Sequence, residues 1–115
     1  MKKVILLYAL LLSVLGVQAQ KRVLVFSLTR GFHHNSIKEG NQYFLELGKK
    51  QGIVIDTTTD ATKFNEENLK KYNAVVWLST TGDVLNPAQQ ADFERYIQAG
   101  GGYVGIHAAS DTEYN

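Results

Sequence analysis

Four short apolar runs, rich in β-branched residues, most constrain what this chain can fold into: residues 22–27, 53–57, 74–79 and 103–107. Runs of this length and composition read as buried strands. Helix signals separate them. Ile37, Tyr43, Phe44, Leu47 and Gly48 recur at helical spacing and predict one face packed on a sheet. Asn35 or Ser36 is placed to cap that helix, with Glu39 three residues beyond Ser36 as a capping box requires, and Gly52 ends it. Phe64 precedes Asn65, a second cap, and Glu66 and Glu67 in the first turn suit the helix dipole. Asn86-Pro87-Ala88-Gln89 is the clearest start: cap, first-turn proline and a glutamine that reaches back. Phe93, Tyr96 and Ile97 give that helix its expected buried stripe, and Gly100 to Gly102 stop it.

The order β-α-β-α-β-α-β predicts an α/β fold, a three-layer sandwich with a mostly parallel sheet and helices on both faces. Right-handed crossovers then gather the loops after the first, third and fourth strands on one rim. Ligands of open parallel sheets bind outside such carboxyl ends. Neither a helix nor a fifth strand comes after the fourth strand. Four strands and three helices are therefore expected to be the N-terminal part of a larger domain.

The first nineteen residues read differently. Lys2-Lys3 precede an apolar stretch over residues 4–17, and Val17-Gln18-Ala19 offers small or apolar residues at a cleavage position. This pattern predicts a secretory signal peptide over residues 1–19 and a mature domain over 20–115. The apolar stretch falls short of the roughly 20 residues of a membrane span. The expectation is a periplasmic or extracellular protein with no membrane attachment after cleavage. Without Lys2 and Lys3 the 12 basic residues become 10, against 11 acidic, so the mature net charge is −1. No basic patch attracts phosphate backbones, which argues against nucleic acid as a partner. The absence of cysteine excludes disulfides, thiolate metal sites and a cysteine nucleophile.

The chemistry-bearing residues fall on the rim. His107 ends the fourth strand among small residues, where a histidine can act as general base, general acid or metal ligand. The bland alternative is a hydrogen-bonded histidine packed under the rim. His34 closes the first rim loop just before a helix, while its neighbour His33 reads as exposed. Asp111 and Glu113 come soon enough after His107 to orient it or share its proton, although acids in such loops are commonly just solvated. Two histidines and a carboxylate are also donor types for a divalent metal such as zinc, but they come from separate loops and their spacing gives no support. Arg30 and Gly31 on the first loop, and Thr81, Gly82 and Asp83 on the third, suit recognition of a small molecule or sugar by hydrogen bonds. They suit an ordinary salt bridge and polar turn as well. The glycine run precedes a strand rather than opening a helix, so it is no phosphate cradle. Trp77 lies within a strand and is expected in the core. Tyr114 is freer to stack on a sugar ring.

Three stretches carry a resemblance. Val23 to Ser27 with Thr29-Arg30-Gly31-Phe32-His33-His34-Asn35-Ser36-Ile37, then Thr80 to Leu85, then Gly100 to Thr112, resemble the ThuA-like (trehalose-utilisation) family in order and content. The resemblance implies a flavodoxin-like sheet related to class I glutamine amidotransferases, often exported, in the context of trehalose and other sugar use. The family more often carries arginine where this chain has His33. The amidotransferases place a cysteine at the turn after the strand equivalent to the fourth one here; this chain has His107 there, so thiolate attack on an amide is excluded. The resemblance thus implies an exported protein of carbohydrate utilisation, with hydrolysis or proton transfer on a sugar or oxidised sugar at a site centred on His107. His34, Asp111 and Glu113 would assist. The alternative is a non-catalytic carbohydrate-binding or accessory module.

Overall fold

The structure, a computed structural model, describes residues 18–114. Of the expected signal peptide, residues 1–17 lie outside that range. The elements run β1 (Arg22–Phe26), α1 (Ile37–Gln51), β2 (Val54–Thr58), α2 (Glu66–Leu69), β3 (Ala74–Leu78), α3 (Pro87–Gln98) and β4 (Gly102–Ile106). Single 3-10 turns cover Ala61–Lys63 and His107–Asp111. The sheet has the order β2-β1-β3-β4 and every pairing is parallel. This is the α/β architecture that the alternating pattern predicts.

Strand alternation sends side chains to two cores. Val25, Val76 and Leu78 face α1 with Phe44, Ile55 and Ile106. Leu24, Phe26, Val75 and Trp77 face the other way, onto Phe64, Leu69 and Tyr96. Phe26 sits between Thr58 and Trp77 in register, so the largest side chains lie mid-sheet. Trp77 is core, as expected, stacked on Phe93 with ring centroids 5.5 Å apart. Each fully buried large apolar side chain contributes about 1.5–3 kcal/mol.

Helix α1 approaches the sheet closely because small residues line its inner row. A Cβ on Gly48 would lie 2.7 Å from the Ile53 carbonyl oxygen. That row, Ile37, Gly40, Phe44 and Gly48, leaves Tyr43 about 100° away around the helix, and Tyr43 is 61% exposed. The expectation that Tyr43 packs inward is corrected accordingly. Ser36 does not form the predicted capping box either. Its backbone is already helical (φ −66°, ψ −8°) and its side chain makes no cap bond. Ile97 is 40% exposed, so the buried stripe of α3 is Phe93 and Tyr96 alone. Asn65 caps α2 as predicted, although α2 is only four residues long. The full capping box at Asn86 and Gln89 is present.

At the opposite end of the strands from the rim, Arg22 and Asp56 pair at 2.7 Å, and the Tyr72 hydroxyl donates to the same carboxylate at 2.8 Å. The Arg22 hydrogen bond lowers the Asp56 pKa. Burial, reinforced by the Asp56 anion, pushes the Tyr72 phenol up to about 12.

Candidate functional site

The three loops expected on one rim are sewn together there. Beyond the strands, isolated parallel bridges join Thr29 to Thr81 and Gly82 to Thr112. The Arg30 amide donates to the Thr81 carbonyl at 2.8 Å. The buried Thr81 hydroxyl accepts from the Gly31 amide at 3.1 Å and donates to the Phe32 carbonyl at 3.0 Å. Thr112 donates its hydroxyl proton to the Thr80 carbonyl at 2.8 Å. Gly82 donates to the Asp111 carbonyl at 2.9 Å and accepts from the Glu113 amide at 3.2 Å. Its φ of +75° is a glycine conformation, and a Cβ there would lie 2.9 Å from the Cβ of Arg30. Gly31, Thr81 and Gly82, the residues expected to bind substrate, thus bond neighbouring loops through these groups.

Backbone strain concentrates on the same rim. Ser79, His107 and Glu113 are the described non-glycine residues with positive φ, at 50°, 53° and 60°. Left-handed backbone costs an L-residue about 1–2 kcal/mol. His107 sits at this sharp turn directly after β4, the place of a nucleophile elbow. Its side chain is exposed, and its ring meets that of His34 edge-on, centroids 4.4 Å apart and planes at 74°. Phe32, 71% exposed, packs against His34 from 4.8 Å. The rim thus presents a row of three rings: an apolar one and two imidazoles, whose nitrogens can each donate or accept a proton.

The acids divide. Asp111 shares the turn that His107 begins, is exposed, and accepts a hydrogen bond from the Tyr114 hydroxyl at 2.8 Å. That bond to a carboxylate raises the phenol pKa of Tyr114. Glu113 turns to the loop before α3. One carboxylate oxygen accepts from the amides of Val84 and Leu85 at 2.6 and 2.8 Å, and the other accepts from the Gln90 side chain. Both oxygens are engaged in holding the segment after β4 against α3. His33 bonds to its own loop, its Nδ1 lying 3.1 Å from the Thr29 hydroxyl. Among the described residues no group of three or more histidines, cysteines or carboxylates is gathered to hold a metal ion. The histidine pair acquires no third donor from Asp111 or Glu113.

Arg30 and Asp83 leave the histidines to line a polar cleft of about 470 Å³, which also takes in the loop after β2 and the start of α3. A more apolar cleft of about 410 Å³ lies between α2 and α3, away from the rim. Phe32 lies inside the first of the three family-like stretches, and its own signal is an apolar aromatic in an otherwise polar loop. The tethering role of Glu113 has no local signal, because its partners lie 28 and 29 positions away.

A family model described as trehalose utilisation, ThuA, matches residues 22–115. A search of curated proteins finds no match. Among solved structures, the crystal structure of a ThuA-like protein from Bacteroides uniformis is similar, with a TM-score of 0.69 and 31% sequence identity. The match covers 86% of this chain and 41% of that one, so the chain spans less than half the length of its solved relative.

Proposed function

The chain belongs to the trehalose-utilisation (ThuA) family, and from that premise we propose that it is an exported protein that performs hydrolysis or proton transfer on a sugar or an oxidised sugar at His107. The observation that carries the reading is the pairing of His107 with His34. An exposed imidazole stands on a left-handed turn at a strand's carboxyl end, with a second imidazole 4.4 Å from it. Strain held at such a turn is typical of a side chain fixed in place for chemistry.

In this reading His107 takes the proton from a sugar hydroxyl or an attacking water, and His34 returns one to the departing oxygen. Each role needs a nitrogen lone pair or an N–H within hydrogen-bond reach of the reacting group. Phe32 offers its exposed face to the C–H side of the ring. Asp111 lies in the same turn as His107 and adds negative charge near the imidazolium that His107 becomes. Glu113 positions the turn from outside the chemistry. A leader cleaved after Ala19 accounts for the basic, then apolar, start of the chain.

The test is His107→Ala, assayed for turnover of trehalose and its oxidised derivatives. Loss of a general acid–base group lowers kcat by about 10²–10⁴-fold, with melting temperature unchanged and sugar still bound. Normal turnover by the variant would remove His107 from the mechanism. Saturable sugar binding without any product from the wild type would select the accessory-module reading.

A further inference from the structure

The cleft of about 470 Å³ beside Arg30 is walled by the loops after β1, β2 and β3, and none of His34, His107 or Asp111 lines it. Its volume falls within the range of small-molecule sites, about 300–1,000 Å³. Its position is specific. In the order β2-β1-β3-β4 the chain leaves β1 first toward β2 and then crosses to β3 on the other side. The crevice outside the carboxyl ends at such a reversal is where open α/β sheets bind ligands.

The lining is amphipathic. Leu28, only partly buried, provides apolar surface, while Arg30, Asp60, Asp83 and Asn86 bring donors and acceptors. One guanidinium among two carboxylates gives no excess of positive charge, so the cleft does not select a phosphate or a sugar acid. Alternating donors and acceptors match vicinal hydroxyls, each of which does both. An apolar wall matches the C–H face of a sugar ring. The carboxylates are held in place beforehand. Asp60 Oδ1 accepts from the amide and the hydroxyl of Thr62 at 2.9 and 2.7 Å, and Asp83 Oδ1 accepts from the Tyr114 amide at 2.9 Å. Val84 is fixed from behind by Glu113.

We propose that this cleft is a saccharide-binding subsite for an uncharged, hydroxyl-rich ring, separate from the histidine pair. It stands whether or not His107 is catalytic.

The full-length protein would be titrated with trehalose and glucose, and with gluconate as the charged comparison, by calorimetry and by amide NMR. The expected result is saturable binding of a neutral sugar, with shifts at residues 59–62 and 83–86. Arg30→Gln and Asp60→Ala should each weaken it at least tenfold, and His107→Ala should leave it in place. The proposal is overturned by any of four results: no saturation at millimolar sugar, shifts confined to residues 32–34 and 107–111, wild-type affinity in both cleft variants, or preference for gluconate. Loss of turnover in His107→Ala with normal cleft binding keeps the two sites' fates distinct.

Discussion

Glu113 bonds the amides of Val84 and Leu85 through a single carboxylate oxygen, at 2.6 and 2.8 Å, across a span of nearly thirty residues. It does so from a left-handed backbone, φ +60°. The carboxylate fixes the segment that carries His107 to the loop that opens α3.

Removing it should be costly. Glu113→Ala leaves two part-buried amides without their acceptor, and an unmade hydrogen bond of this kind costs about 1–3 kcal/mol. Urea unfolding should show that loss, and Glu113→Gln, which keeps an acceptor oxygen, should recover most of it. Wild-type stability in the alanine variant would show that the tether contributes nothing.

Two glycines separate backbone strain from steric contact. Gly82 and Gly100 both have positive φ, at 75° and 97°. A Cβ on Gly82 meets Arg30 at 2.9 Å, whereas one on Gly100 meets nothing within 4 Å. Gly100→Ala should cost only the conformational term, about 1 kcal/mol, or a fall in Tm of roughly 4–8 °C. Gly82→Ala should fall further by thermal unfolding. Equal losses would mean that Arg30 moves aside freely.

Alkaline stability should depend on Tyr72. Its phenol is raised in the folded state to about 12, because burial and the neighbouring Asp56 carboxylate both oppose a second anion. A raised folded pKa gives stability that is complete below the ordinary tyrosine range, near 10, and lost as pH climbs toward 12. Tyr72→Phe should therefore flatten that part of the stability–pH curve relative to wild type. An unchanged slope would count against the coupling.

At the rim, His34→Phe keeps a ring against His107 and removes both nitrogens. If His34 moves a proton, kcat should drop by about 10²–10⁴-fold with KM nearly unchanged. A loss of affinity at constant kcat would make His34 a binding residue instead.

Local rules reach most of the fold because most of its decisions are local. The capping box at Asn86 and Gln89 spans four positions, and the cap at Asn65 is equally short-ranged. Crossover handedness then brings His34 and His107 to one rim without any knowledge of side chains. Three-dimensional packing decides the rest. Tyr43 has the right residue type for a buried stripe, yet Gly40 and Gly48 define the row that meets the sheet. Thr81 and Glu113 are polar loop residues in sequence, and only the fold shows which distant loops their side chains bond. The two cleft walls at Asp60 and Asp83 lie 23 positions apart in the numbering, and no motif links them.

The bridges from Thr29 to Thr81 and from Gly82 to Thr112 have a consequence for recognition. They tie the three rim loops to one another within the fold itself. Any small molecule docking there has little loop freedom to quench, so the entropic penalty of association is reduced to its own rotation, translation and internal rotors. Weak individual hydrogen bonds can then suffice for discrimination between closely related rings.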